Sequence, residues 1–473
     1  MTKDNGGYMA KNVLLITIDS LRADHLSCLG YHRKITPKMD ELAKKGILFS
    51  QAIANGSGTP SAVPPILTST YPLMYGGYER LSKQRVAIAE VLKQSGYSTA
   101  AFHSNTYLSR FYGYQRGFDV FYDDLTAKTE ISTYSSLVRK ARKAAQKIML
   151  YISATIFPHK KSSWPLPYVN AKALNQKAVS WLANNRPERF FLWIHYMDVH
   201  SPFMAPQDFI EEINEDISRR EVLRLNKRLP RPRELSKKDL TRLIDLYDAC
   251  IKHTDSAVSS LLDEIERLWL LKETMVIITA DHGEEFLEHG DLGHNCTMYD
   301  ELIHVPLIFF SPDWAAGKTI DSQVEHLDIA PTVLDALGIK KPANFLGDSL
   351  LPLMNGEELE KGIITESSNP PNELRIDPKL RRTSYRTRTW KYIHNASREN
   401  ELYKLSTDPK ETKNLVEEEK DLARSLHSKI QNHIAMEMRL RLQLESELLQ
   451  DKIRRLKLEG KLASRPKRIN APS

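Results

Sequence analysis

The sequence predicts an α/β protein with a central, mostly parallel sheet flanked by helices. Near-continuous apolar runs such as "NVLLITI", "FFLWIHY" and "TMVIITA" suit strands buried on both faces. Helical segments with their own start and stop signals lie between these runs. Strands alternating with helices in this way build a parallel sheet.

Taken in order, "NVLLITID" is the first strand and ends at Asp19. "TPKMDELAKKG" has Pro near its start and Gly at its end, the punctuation of a helix. "RVAIAEVLKQSGYSTAAF" reads as helix, Gly stop and strand. "RFFLWIHYMDVHSPF" is a further strand that leaves Asp198 and His200 at its exit, and "TMVIITADHGEE" is another that ends at Asp281 and His282. "HVPLIFFSP" follows as a strand, and "DIAPTVLDALG" as a helix closed by Gly338.

At 473 residues, 41% hydrophobic and 27% charged, the chain has the composition of a soluble globular protein with room for two or three domains. A net charge of +7 is small for this length, so it argues only weakly for anionic partners, and no nucleic-acid partner is expected. Cys28, Cys250 and Cys296 lie far apart and form no CxxC pair, which excludes a disulfide framework and favours a reducing compartment. The polar start "MTKDNGGYMAKN" and the short apolar run after it match neither a signal peptide nor a membrane span. A cytoplasmic location is the expectation.

The strand ends hold the chemistry. Open α/β sheets bind ligands outside the carboxyl ends of their strands. Asp19, His200, Asp281 and His282 all stand at such ends. Carboxylates crowded there would repel each other, so a metal ion is the natural occupant. For any one of these residues, an ordinary strand-end turn remains the competing reading.

The stretch "GSGTPSAVPPILTSTYP", residues 56–72, runs from a mobile turn straight into an apolar segment. A loop that feeds a helix N-terminus presents free N–H donors to anions. Ser57, Thr59 and Ser61 are the candidate hydroxyls there, and a plain N-cap is the alternative reading.

Several segments together carry a family resemblance: "NVLLITIDSLRADHLSCLGY", "ITADHGEEFLEHGDLGHNCTMYDELIHVPLIFF", "HLDIAPTVLDALGI" and "ELYKLSTDPKETKNL". In this order they resemble the sulfatase family, within the alkaline phosphatase superfamily. The resemblance implies an alkaline-phosphatase-like catalytic domain over residues 11–355. A smaller C-terminal subdomain over 356–415 and a charged helical tail over 416–473 follow it. It also implies one divalent metal ion beside a nucleophile, and cleavage or transfer at a sulfate or phosphate ester. The partner would be a sulfated or phosphorylated carbohydrate or lipid.

The nucleophile loop departs from the family. Sulfatases resemble one another in a C/S-x-P-S-R loop whose first residue becomes formylglycine. Here "GTPSA" keeps Pro60 and Ser61, but Gly58 and Ala62 replace the Cys and the Arg. Counting from the family's Leu-Thr-Gly ending, which corresponds to Thr68, the nucleophile position falls on Thr59. Superfamily members that cleave phosphodiesters or transfer phosphoglycerol similarly use Thr. Their metal set resembles Asp19, Thr59, Asp281 and His282. Calcium is the family default, while the imidazole ligand suits manganese or zinc. The usual paired Asp is here Asp19-Ser20, and the Asp-Asn pair of many sulfatases is Asp281-His282.

Around this centre His200 is expected as an anion-binding residue or leaving-group acid, with His294 as the second candidate. "HSNTYL" replaces the family's Gly-Lys-Trp-His segment, and Asn105 is expected to supply a polar contact there. Glu284 and His289 are expected as loop residues rather than ligands. The basic stretch "SLVRKARKAAQKIMLYISATIFPHKK" is compatible with a peripheral membrane contact or with a charged packed helix. Leu422, Leu426, Ile430 and Ile434 repeat at helical spacing, which allows packing on the domain or pairing with another chain. The last residues, "ASRPKRINAPS", are expected to be disordered. A phosphotransferase of the same superfamily and a catalytically inactive binder of anionic glycan or lipid are the alternatives to a hydrolase.

Overall fold

The computed structural model describes residues 10–124, 164, 166–312, 314, 317–368 and 377–458. The basic stretch 136–161 and the last residues, 463–473, lie outside the described residues.

Among the described residues, nine strands form the main sheet, in the order Lys318–Ile320 (β10), Ile47–Ile53 (β2), His304–Phe310 (β9), Thr274–Ala280 (β6), Asn12–Ile18 (β1), Phe190–Tyr196 (β5), Ser98–Phe102 (β3) and Val120–Tyr122 (β4), with Val324–Glu325 (β11) paired to β2. At its centre, β1 (Asn12–Ile18) lies parallel to β5 (Phe190–Tyr196) and β6 (Thr274–Ala280), and all three are buried along their whole length. Strands covered on both faces have no use for polar alternation, which explains their unbroken apolar sequences. β3 (Ser98–Phe102) and β4 (Val120–Tyr122) extend one edge in parallel. On the other side, β9 (His304–Phe310) runs antiparallel to both β6 and β2 (Ile47–Ile53). β10 (Lys318–Ile320) and β11 (Val324–Glu325) complete that edge in parallel with β2. The sheet is therefore mostly parallel, with one reversed strand.

The flanking helices follow their sequence signals. Pro37–Lys45 starts on its Pro, ends in Lys44 and Lys45, and buries Met39, Leu42 and Ala43. The longer helix Lys237–Arg267 is opened by a capping box in which Ser236 accepts from the Asp239 N–H. It buries a continuous stripe from Leu243 to Ile265. Among the described residues, no helix is long and apolar enough to cross a membrane.

A second, antiparallel sheet holds β12 (Ile363–Ser367), β13 (Arg382–Arg386), β14 (Lys391–Asn395) and β15 (Glu401–Tyr403) in that order. The C-terminal helix Lys420–Leu458 lays Ala423, Leu426 and Ile430 on it, with Leu422 and Ile434 partly buried beside them. This is the stripe read from the sequence.

Further along, the same helix is clasped by charge. Arg381 donates to Glu366 at 2.7 Å and to Glu437 at 2.6 Å. His433 Nε2 lies 3.1 Å from Glu366 and 3.4 Å from Glu437. Glu366 also accepts from the Leu73 N–H at 2.8 Å, and the His433 ring packs edge-on against Tyr71. Glu366, His433 and Glu437 lie close enough to share an ion, but Arg381 and His433 pair with both carboxylates and supply the positive charge between them.

Burial works against the His433 cation, yet the two carboxylates outweigh it and push its pKa up to about 9. A raised His pKa stabilises the fold fully below the unfolded value of about 6.5, and this contribution is lost as pH rises through about 9. His433→Gln should therefore cost about 1–3 kcal/mol at pH 6 and progressively less toward pH 9. Urea unfolding of both proteins across that range checks it; parallel pH profiles would rule out a charged clasp.

Candidate active site

The loop after β2 is held before it reaches the site. Asn55 Nδ2 donates to Glu325 at 2.6 Å and to the Ile364 carbonyl at 2.9 Å, while its Oδ1 accepts from the Leu327 N–H. The loop then folds tightly onto the next helix: a Cβ on Gly56 would stand 2.4 Å from the Ser61 carbonyl carbon. That helix, Thr59–Thr68, begins at Thr59 itself and is buried except at Pro60. Its C-terminal turn leads into a loop whose carbonyls at Tyr71, Pro72 and Met74 all accept from the buried Arg85 guanidinium.

The three hydroxyls of the loop have different fates. Ser61 Oγ donates to the Gly58 carbonyl at 3.0 Å, and Ser57 Oγ is buried without a hydrogen-bond partner. Thr59 Oγ1 lies 3.3 Å from Asp19 Oδ2 and 3.3 Å from His282 Nε2. Only Thr59 of the three touches the carboxyl ends of the central strands.

Asp19, Asp281 and His282 meet there, all fully buried. Asp281 Oδ1 accepts from the N–H groups of Ser20 and His282, at 3.2 and 2.9 Å. Its Oδ2 is buried with no hydrogen-bond partner and lies 3.6 Å from His282 Nε2. His282 Nδ1 stands 2.8 Å from the Gly283 carbonyl, an acceptor, so Nδ1 carries the proton and the Nε2 lone pair faces the centre. A Cβ on Gly283 would fall 1.9 Å from the Glu301 carbonyl oxygen, so this turn can close only on glycine. Ser20 adopts a left-handed backbone, φ 62°, an unusual conformation for a serine, and turns its hydroxyl onto Asp19 Oδ1.

Burial would raise the Asp19 pKa, but the imidazoles gathered around it, with the hydrogen bond from His195, hold it well below the usual carboxylate range. Asp281 goes the other way, raised by burial and by the neighbouring Asp19 charge. An unpartnered carboxylate oxygen, an inward imidazole lone pair, a second carboxylate and a hydroxyl form a donor set that fits one divalent cation.

His195 and Glu284 add what sequence reasoning did not assign. His195 bridges Thr17 Oγ1 at 2.9 Å and Asp19 Oδ2 at 3.2 Å, and the Trp193 indole donates to the same Thr17 oxygen. Glu284, expected as a loop residue, is buried at the site and pairs with His294 Nδ1 at 3.0 Å. Burial disfavours the His294 cation, but Glu284 outweighs it and lifts the pKa to about 9. His289 stays apart, stacked on Tyr299 and paired with Glu301.

His200, His294 and Thr59 line one cavity of about 730 Å³. The His294 ring lies 4.6 Å from that of His282 and 5.1 Å from that of His200. His200 Nδ1 is bound at 2.5 Å by the Ser201 carbonyl, which leaves Nε2 for a ligand. Asn105 makes the expected polar contact, donating to Asp19 Oδ2 at 3.0 Å. Its Oδ1 accepts from the Tyr107 N–H at 3.0 Å, so one amide joins the charged centre to the cavity wall.

Fold and centre together define an α/β protein of the alkaline-phosphatase type. The chain belongs to the sulfatase family. The family model described as Sulfatase matches residues 11–339, and one described as N-sulphoglucosamine sulphohydrolase, C-terminal, matches residues 288–437. Human arylsulfatase K is 33% identical over 206 residues, which cover 42% of this chain and 38% of that protein. The chain thus matches well under half the length of that relative. A sulfatase of Formosa agariphila is 23% identical over 432 residues, covering 82% of each chain. Among solved structures, the phosphonate monoester hydrolase of Agrobacterium radiobacter superposes with a TM-score of 0.69 at 19% identity, over 90% of this chain and 96% of that one.

Proposed function

We propose that this protein is a metal-dependent hydrolase of sulfate or phosphate esters that uses Thr59 as its nucleophile. The observation that carries the reading is the Thr59 hydroxyl, held 3.3 Å from both Asp19 and His282 where Thr59 lines the cavity. Asp19, Asp281, His282 and Thr59 would hold the ion, calcium by family habit and manganese or zinc by ligand type. The bound ion supplies charge that lowers the hydroxyl pKa and neutralises the transferred group.

The protein's own residues do the rest. Thr59 Oγ1 passes its proton to solvent through Asp19 Oδ2, its hydrogen-bond acceptor, and attacks sulfur or phosphorus, while the bridging ester oxygen leaves with the bonding electron pair. His200 Nε2 faces the cavity and delivers a proton to that oxygen. His294, cationic through Glu284, faces the negative charge of the transferred group. Water then attacks the same sulfur or phosphorus, giving a proton to the His200 Nε2 left bare by the first step. The bond to Thr59 Oγ1 breaks with its electron pair onto that oxygen, which takes a proton back from solvent. The cavity has room for a sugar-sized or lipid-headgroup alcohol.

An aryl sulfate, a phosphate monoester and a phosphate diester, assayed with calcium, manganese and zinc in turn, test the reading. At least one ester should be turned over, and chelation should abolish the rate reversibly. No turnover with any pairing would overturn it.

A further inference from the structure

The wall of the cavity beyond Thr59 has an unusual charge balance for a site that receives an anion. Among the described residues that line it, there is no Lys or Arg. Two carboxylates do line it, Glu284 and Asp291. Glu284 is neutralised by His294. Asp291 has no ion-pair partner among the described residues and is half-buried, and the buried Glu285 carboxyl feels its charge. The His294 imidazole is thus matched by Glu284, and Asp291 adds a carboxylate to the same lining that no ion pair among the described residues offsets.

The same wall carries two phenol rings, Tyr107 and Tyr168. Tyr107 is 37% exposed and is tethered through its N–H to Asn105, which is itself bonded to Asp19. An aromatic face and an unpaired carboxylate lining one cavity suit the flat apolar side of a ring together with a hydroxyl or ammonium donor. It does not suit a second anion, because a like charge in a partly desolvated cleft is repelled far more than in water.

We propose that Asp291 and Tyr107 make this site selective for esters whose leaving alcohol is uncharged or cationic, and select against polyanionic chains. The proposal rests on the ester-cleaving reading of the same cavity and adds the charge class of the alcohol. Asp291 is a specificity-determining residue: its carboxylate accepts hydrogen bonds from the leaving group, and it exerts repulsion on a carboxylate or second sulfate placed there.

The test uses non-hydrolysable probes, so that it reads binding without turnover. Benzylsulfonate carries carbon in place of the bridging ester oxygen, and its 4-aminomethyl and 4-carboxy derivatives differ chiefly in charge. Calorimetric titration into the full-length, metal-loaded protein at low salt should give a dissociation constant at least about tenfold lower for the aminomethyl than for the carboxy compound. Asp291→Asn should shrink that ratio at least about threefold, and high salt should shrink it in the wild type, because screening weakens charge selectivity. Tyr107→Ala should weaken both compounds, the aminomethyl one more, because a phenol face attracts a cation. Equal or tighter binding of the carboxy compound, an unchanged ratio in Asp291→Asn, or no binding of either compound would each overturn the proposal. Failure of the ester panel above with binding intact would instead overturn the hydrolase reading.

Discussion

Thr59→Ala should lower turnover by on the order of 10³-fold or more, the scale seen when catalytic nucleophiles are removed. Thr59→Ser keeps the oxygen and drops only a methyl group, so it should retain measurable activity. Ser61→Ala should matter far less, because its hydroxyl is spent on the Gly58 carbonyl, and Ser57→Ala removes a hydroxyl that makes no hydrogen bond. The intact protein should have the mass of its unmodified sequence, with no formylglycine in the loop. Rapid quenching during turnover should trap a sulfuryl or phosphoryl group on Thr59, and because the two groups are nearly equal in mass, the ester that loads the residue would decide between the classes. Full activity in Thr59→Ala, or a modified Ser57 or Ser61, would move the nucleophile elsewhere in the loop.

Asp281→Asn should abolish tight metal binding and leave a folded protein. The asparagine keeps an Oδ1 acceptor for the Ser20 and His282 N–H groups, so the turn survives. It replaces the unpartnered Oδ2 with a donor that no cation can use. Elemental analysis should find about one ion per wild-type chain and none in the variant. Added metal at about 100 times its dissociation constant should stabilise the wild type by about 2.7 kcal/mol and leave the variant unmoved. Equal metal content in both proteins would remove Asp281 from the ligand set.

Much of this centre was legible because its residues interrupt strong patterns. Asp19 and the Asp281-His282 pair each end an apolar run, where strand periodicity stops and ligand chemistry begins. Thr59 needed the family's loop spacing, since Ser57 and Ser61 are equally good N-cap candidates by residue type. His195 escaped notice because it lies inside "FFLWIHY", where a single buried histidine looks like any core position. Its role depends on Thr17 and Asp19 on the neighbouring strand, and strand pairing is not written in either segment. Asp291 and Tyr107 were hidden for a related reason: loops distant in sequence meet only at the cavity. The reversed direction of β9 was also beyond reach, because a strand covered on both faces reads the same either way.

The pairing of β1 with β5 and β6 sets the order in which the centre can come into being. Asp19 meets His195 across 176 residues of chain, and Ser20 meets Asp281 across 261. A nascent chain that has not yet emitted β6 therefore owns one carboxylate and one hydroxyl of the set, which is too little to grip an ion. Contacts this remote in sequence form late, after the entropic cost of closing long loops has been met by burial of the apolar strands. An ion held by this set would therefore not seed folding in the manner of a zinc finger; it would enter a finished crevice and act as a lock. Expression in metal-poor medium should yield folded, fillable protein.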